Sequence, residues 1–593
     1  MCGICGELRF DGRAPDRATL ATMTEKLARR GPDASGQYIS GPLAFGHRRL
    51  AVIDLSERSA QPMVDDDLGL ALVFNGTIYN YPELREQLRG KGYLFSSDGD
   101  TEVILKAYAE WGEDCPRHLQ GVFAFAIWNA RKQQLFMARD RFGVKPYYYS
   151  LTRQGVRFAS TSQALLAAGE VDDRIDPVAL HHHLTLHAVV PAPRTLLHGL
   201  RKLRPGHSMT FSVHGERSLR RYWQLETARP NTPMSEWEWI EAIHEELRRA
   251  VARRRAIADV PVGILLSGGL DSSLLVALLA EAGGGDLLTF SVGFEDAPEE
   301  KGNEFESSDL IAGLYGTRHH RFTVPNEEVL ARLPEAVDNM GEPMVGQDAV
   351  AFYLLGEQVS RQVKVVQSGQ GADEVFGGYF WYRQMQAASG SDIERFRHLY
   401  FDRTHEEFLH TVASRYHGND YTSARVASGL SQMQTDDYLN RVLAYDVTTL
   451  IVDDPVKRVD NMTMAWGLES RVPFLDQDLV QLAARMPSSI KLKSDGKHPL
   501  KVIARGLLPD RIIDRPKAYF PVPALKFVRG ETLEFMRDVL ESRACRERGL
   551  FKRANVESLL AEPEQAHTPL LGSKLWHLTL LEFWLQRNVD KSP

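Results

Sequence analysis

Short apolar runs bounded by turn-forming residues dominate the first third of the chain. Residues 70–74, 121–128, 134–138 and 147–151 read as strands, and helical spacing over 18–28, 82–89 and 101–111 sets helices among them. That is an α+β pattern. Periodicity fades at about Thr210 while Arg and Pro accumulate, in Arg217 to Arg221 and in Arg229-Pro230-Asn231-Thr232-Pro233, which marks 213–235 as a linker. Helical spacing resumes over 237–256. Strand patterns at 260–266, 287–294, 319–324 and 363–367 then alternate with helical ones at 274–280, 305–315 and 351–360. Such alternation builds a parallel sheet covered on both faces, an α/β arrangement. The expected organisation is a first domain over 2–212, the linker, and a second domain over 236–593 with a helical C-terminal part. Near the end, Leu575, Trp576, Leu578, Leu580, Leu581, Phe583 and Trp584 read as core.

Composition narrows the function classes. A chain of 593 residues exceeds a single compact core. Its net charge of −7 offers no electrostatic footprint for nucleic acid or an acidic membrane, so neither is expected as a partner. No apolar run reaches the ~18 residues of a membrane span, and no basic stretch followed by an apolar one opens the chain, so a cytoplasmic location is expected. Cys2, Cys5, Cys115 and Cys545 are too few and too scattered for a disulfide framework. The oligomeric state, a homodimer included, is left open.

Ser267-Gly268-Gly269-Leu270-Asp271-Ser272-Ser273 joins a buried-strand pattern directly to an apolar helix. Glycines uncover backbone N–H groups, Ser267 and Ser272 add hydroxyl donors, and the helix points its positive end at the same spot, so this is a phosphate site. No lysine follows the glycines as in GxxxxGK[ST], and Asp271 suits a Mg²⁺ ion bridging phosphates. The loop resembles that of ATP pyrophosphatases, which cleave ATP between its α- and β-phosphates. Ser291-Val292-Gly293 and Ser368-Gly369-Gln370-Gly371-Ala372-Asp373-Glu374 fall at the ends of other predicted strands, where ligands of parallel sheets collect.

At the other end of the chain, Cys2 directly follows Met1. Removal of Met1 places a thiol and an α-amine of pKa ~8 on one residue, a nucleophile with its own base. Cys2 and Cys5 also read as half of a zinc or redox pair, or as buried structural thiols. His181-His182-His183 and His187 fall in or near a helix with no acidic ligand close in sequence and are assigned to structure, as are His319 and His320 in a strand.

Taken together, Met1 to Gly6, Arg30-Gly31-Pro32-Asp33, His47-Arg48-Arg49-Leu50, Asn75-Gly76-Thr77-Ile78-Tyr79-Asn80 and Asp98 to Glu102 resemble the class II glutamine amidotransferase domain, an N-terminal-nucleophile hydrolase with an αββα sandwich. The resemblance implies that Cys2 attacks the glutamine side-chain amide and frees ammonia. Asn75 and Gly76 would stabilise the oxyanion, Arg49 would grip the α-carboxylate and Asp100 the α-ammonium. Without its neighbours, Asn75-Gly76 reads as a turn. The family usually has glutamate where this chain has Thr77, which removes one carboxylate from the α-ammonium site.

The strand-end motifs, with Gly377-Gly378-Tyr379 and Arg471-Val472-Pro473-Phe474-Leu475-Asp476, resemble the synthetase domain of the asparagine synthetase family, which makes an amide through an acyl-adenylate. By that resemblance Leu266 and Val292 flank adenine, and Ser267, Gly268, Gly269, Ser272, Ser368 and Gly369 surround the ATP phosphates. Asp271 and Asp373 would hold Mg²⁺, and Lys497 would neutralise the acyl-adenylate and pyrophosphate. The family usually has an acidic residue at Gln370, so another base, Glu374 or Glu342, is implied. Gln370 and Thr77 with the opening segment are most similar to the N-acetylglutaminylglutamine amidotransferases, which make an osmoprotectant amide. The alternatives are amidation of aspartate to asparagine, or a catalytically reduced sensor of glutamine or ATP.

Overall fold

The computed structural model describes residues 1–283, 285–296, 302–515, 522, 525 and 528–590. Its first part contains β1 (Cys2–Arg9), β2 (Ala34–Ser40), β3 (Leu43–Arg49), β4 (Met63–Asp65), β5 (Leu70–Ile78) and β6 (Gly121–Asn129). They are followed by β7 (Gln134–Arg139), β8 (Tyr148–Leu151), β9 (Gly155–Ala159), β10 (Arg201–Lys202), β11 (His207–Ser212) and β12 (Arg217–Arg221). Two antiparallel sheets result, ordered β10-β8-β9-β1-β3-β2 and β12-β11-β7-β6-β5-β4.

Strand alternation sorts the side chains into layers. Ile4, Leu8 and Phe45 of one sheet meet Ala71, Val73, Ala126 and Met137 of the other in a shared core. The opposite face of the second sheet, with Leu72, Phe74 and Phe125, packs against helices Tyr81–Gly90 and Asp100–Trp111 through Leu88, Val103 and Ile104. Cys5 and Ala44 face helix Arg17–Glu25 through Leu20 and Met23. The layers are therefore helix, sheet, sheet, helix, as expected.

One alternative reading falls away and one expectation changes. Asn75-Gly76 is not a turn: β5 runs through it, with Asn75 opposite Ala124 and Gly76 opposite Phe123. A Cβ on residue 76 would lie 2.1 Å from the Val122 carbonyl oxygen, so glycine lets β6 pass close by. The stretch expected as a linker begins as an edge strand, with His207 opposite Arg221 and Phe211 opposite Arg217. Its mostly exposed Arg-Ser-Leu-Arg-Arg sequence lacks alternation because only one flank is paired and little of either face is buried.

The second part holds β13 (Val262–Leu265), β14 (Leu288–Phe294), β15 (Arg318–Val324), β16 (Val365–Gln367) and β17 (Glu469–Arg471), a parallel sheet ordered β15-β14-β13-β16-β17. One face buries Ile264 against Ile243, Leu247 and Val251 of helix Glu236–Ala256 and Leu275 of helix Leu270–Glu281. On the other face Leu265 and Phe290 meet Val350 and Leu354 of helix Asp348–Ser360. Helix Lys574–Asn588 is buried, with Trp576 and Trp584 donating to the carbonyls of Val345 at 2.9 Å and Met340 at 2.7 Å. No helix among the described residues is long and apolar enough to cross a membrane.

Buried charges fix how the halves meet. Asp460 accepts from Arg30 at 2.9 Å and Lys145 at 3.2 Å, and Lys202 reaches Glu342 and Asp453, each at 2.7 Å. Removing one member of such a group leaves its partners charged in a dry environment. Asp460→Asn is expected to destabilise the docked chain by about 3 kcal/mol, visible as a lower unfolding midpoint; an unchanged midpoint would contradict this account of the junction.

Candidate active sites

The first site lies where β1 begins. Cys2 is paired in register with Arg49 on β3, and its backbone N–H donates to Asn75 Oδ1 on β5 at 3.0 Å. That bond turns the amide so that Asn75 Nδ2, buried and without a protein acceptor, is left as a donor. Arg49 is fixed by the carbonyls of Ser56, at 2.8 Å, and Asp54. Cys2, Arg49, Gly76, Thr77 and Asp100 all line one small cavity. Of the sequence-selected residues of this site these five share one pocket, and Asn75 is tied to it through the Cys2 N–H.

Their electrostatics suit a nucleophile that is activated on demand. Burial pushes the Cys2 thiol up, against the lowering effects of the chain's ammonium and of Arg49. A base beside it is therefore needed, and the α-amine of residue 2 is the nearest candidate. Cys5 is three residues on, so it faces the helix layer, bonded to Thr24, with its thiol pushed up to about 12 by burial. It forms no metal or redox pair with Cys2. Asp100 accepts from the Ile78 N–H at 3.0 Å, and burial raises its carboxyl to about 6.

One lining residue was not anticipated. Glu469 of β17 enters this cavity from the other half of the chain. Its Oε1 accepts from Thr77 Oγ1 at 3.1 Å and from Arg471 Nε at 2.7 Å, while its Oε2 holds the ammonium of Met1 at 2.6 Å. Burial opposes ionisation of Glu469, but that ammonium and Arg471 hold its carboxyl well below the usual range. Its only sequence signal was its place two residues before the Arg471 motif.

The second site gathers at the strand ends of the parallel sheet. Helix Leu270–Glu281 starts directly after Gly269, as a phosphate loop requires. The Ser272 hydroxyl meets Ser267 Oγ at 3.1 Å and accepts from the Ser267 N–H at 3.2 Å, closing the loop on itself. Ser368 N–H donates to the Arg471 carbonyl at 2.9 Å, and Gly369 lies against Asp271. Leu266 and Val292 end neighbouring strands but pack into cores on opposite faces of the sheet. Lys497 Nζ lies between Asp271, at 2.6 Å, and Asp373, at 2.7 Å, and the two carboxylates hold its charge well above the usual range. A Cβ on Gly378 would come within 2.2 Å of both Asp373 and Lys497, so this contact needs glycine. Two hard carboxylates converging on one cation position also fit Mg²⁺.

Of the two bases considered for this half, Glu342 is bound at 2.7 Å to Lys202, whereas Glu374 sits beside Asp373 and accepts from Tyr379 Oη at 2.8 Å. The histidines do find carboxylates, from distant segments. His187 Nδ1 bonds Asp402 at 3.2 Å, and His181 bonds His405 at 3.0 Å and Thr422 at 2.7 Å in a separate cluster.

Two outcomes follow from this geometry. Asp100 must be ionised to attract an ammonium, so below about pH 6 kcat/KM for glutamine should fall by a further factor of about ten per pH unit beyond the loss caused by protonation of the Cys2 α-amine; no steepening of the profile down to pH 5 would refute the role. Lys497→Met leaves Asp271 and Asp373 facing each other uncompensated, and should lower pyrophosphate release at least ~100-fold, read by a coupled pyrophosphate assay; a loss under tenfold would remove Lys497 from the site.

Known proteins agree with both halves. The model of the "Glutamine amidotransferase domain" matches residues 1–223, and that of "Asparagine synthase" matches residues 242–586. Asparagine synthetase [glutamine-hydrolyzing] 1 of Bacillus subtilis is 30% identical over 100% of this chain and 97% of its own length. A putative asparagine synthetase of Mycobacterium tuberculosis is 33% identical over 90% of each chain. Amidase chry2 of Gibberella zeae is 28% identical over 94% of this chain and 93% of its own. The chain therefore belongs to the asparagine synthase family and is a glutamine-hydrolysing, ATP-using carbon–nitrogen ligase.

Proposed function

We propose that this ligase amidates the C-terminal carboxylate of N-acetylglutaminylglutamine, with residues 2–212 acting as the glutaminase and 236–593 as the adenylating synthetase. Once Met1 is removed, the α-amine of Cys2 takes the thiol proton and Sγ attacks the glutamine amide carbon. Asn75 Nδ2 donates to the resulting oxyanion, ammonia leaves, and water releases glutamate from the thioester. Arg49 orients the substrate through its α-carboxylate.

In the other half the acceptor carboxylate attacks the α-phosphorus of ATP and pyrophosphate leaves. Lys497 offsets charge on both products, and the loop 267–273 holds the phosphates. Asp271 and Asp373 would hold Mg²⁺, which supplies charge neutralisation and phosphate alignment when bound. Ammonia then displaces AMP from the acyl carbon while Glu374 takes the surplus proton. Ammonia crossing bulk water would be largely protonated, so a sheltered route is needed.

The observation carrying the acceptor is Gln370, a half-buried neutral amide between Gly369 and Gly371 where an aspartate-amidating enzyme would have its acidic residue. Asparagine synthesis is the second reading, favoured by the names of the 30–33% identical relatives. AMP and pyrophosphate release with Mg-ATP and glutamine, offered the dipeptide or aspartate in parallel, decides between them. Turnover with the dipeptide alone is expected; turnover with aspartate alone would overturn it in favour of asparagine synthesis. Cys2→Ala should abolish glutamine-dependent amidation and retain the ammonia-dependent reaction, whereas a sensor would keep its response to glutamine.

A further inference from the structure

We infer that Glu469, carried by the synthetase half, is a second carboxylate of the glutamine α-ammonium site and that Thr77 is the residue that seats it there. The inference rests on the glutaminase reading above. Glu469 lines the cavity that holds Cys2, Arg49 and Asp100, and it already binds an ammonium, that of Met1, through Oε2 at 2.6 Å. That ammonium stands in for the substrate's: it is a buried primary ammonium on the one carboxylate oxygen that neither Thr77 nor Arg471 uses. Its charge also lowers the Asp100 carboxyl, so both acids act on the same cation.

Processing of Met1, which the nucleophile requires, takes this cation away. Arg471 stays as counter-charge on Oε1 at 2.7 Å, but Oε2 is left buried without a cation, and an arriving ammonium restores that contact. The α-amine of Cys2 does not serve, because it must be neutral to take the thiol proton and its nitrogen is turned toward Asn75 Oδ1 at 3.0 Å. Residue 77 helps orient Glu469: its hydroxyl donates to Oε1 at 3.1 Å beside the Arg471 guanidinium at 2.7 Å, a donation that a carboxylate at this position could not make. Thr77 is thus no simple loss from the pocket, since the carboxylate is delivered from a strand 392 residues further along.

The test is ammonia release by the full chain, with Met1 removal verified by mass spectrometry, from L-glutamine and from 4-carbamoylbutanoate, the same amide without its α-amine. Glu469→Gln should lower kcat/KM for glutamine about 30-fold and that for the deamino substrate less than about threefold, collapsing the preference between them. Thr77→Val, which removes a single hydroxyl and keeps the residue's shape, should cut the preference about threefold and serves if Glu469→Gln does not fold. Equal losses on both substrates, or an unchanged preference, would overturn the inference. Absence of ammonia release from glutamine by the unmodified chain would instead remove the glutaminase reading itself.

Discussion

The structure depends on the burial of its own N-terminus. A nucleophile that uses its α-amine as base has to be the first residue of the processed chain, and a chain end is ordinarily the least ordered part of a domain. Here it is held as the first residue of a central strand, in register with Arg49, bonded to Asn75 of the facing sheet and closed off by Glu469. Each tie comes from a different element, so Cys2, Arg49 and Asn75 are positioned together by one antiparallel pairing and one sheet-on-sheet contact.

The second half repeats that economy with charge. Lys497 compensates two carboxylates at the strand ends, and Asp460 compensates two cations at the junction. Buried ion groups contribute little net stability compared with apolar packing, but they tolerate few relative placements of the segments that carry them. β17 shows what this secures. Three polar residues would make a poor strand alone, yet Glu469 lines the cavity that holds Cys2 while the Arg471 carbonyl accepts from the Ser368 N–H beside the loop 267–273. The two sites are joined through a segment one strand long.

Much of this was legible in the residues. Apolar runs bounded by turn residues gave β6 and β7, helical spacing gave Glu236–Ala256, and the glycine-serine loop at 267–273 announced the start of Leu270–Glu281. Reading failed where tertiary context replaced local pattern. Asn75-Gly76 carries turn chemistry but lies in a strand because a neighbouring backbone passes within reach of any side chain. Arg217–Arg221 shows no alternation because an edge strand needs none. Glu469 and the histidine partners Asp402, His405 and Thr422 were out of view because nothing in a linear pattern reveals which distant segments will meet.

The position of Glu469 also bears on the order in which the protein is made. A ribosome adding 5–20 residues per second reaches residue 469 roughly 20 to 80 s after residue 77. For that interval the glutaminase half can fold around its own two-sheet core, but its cavity lacks a wall. A growing chain with a finished hydrolase and no synthetase would spend glutamine and leak ammonia. The glutaminase cavity is therefore complete only once the later half has been made.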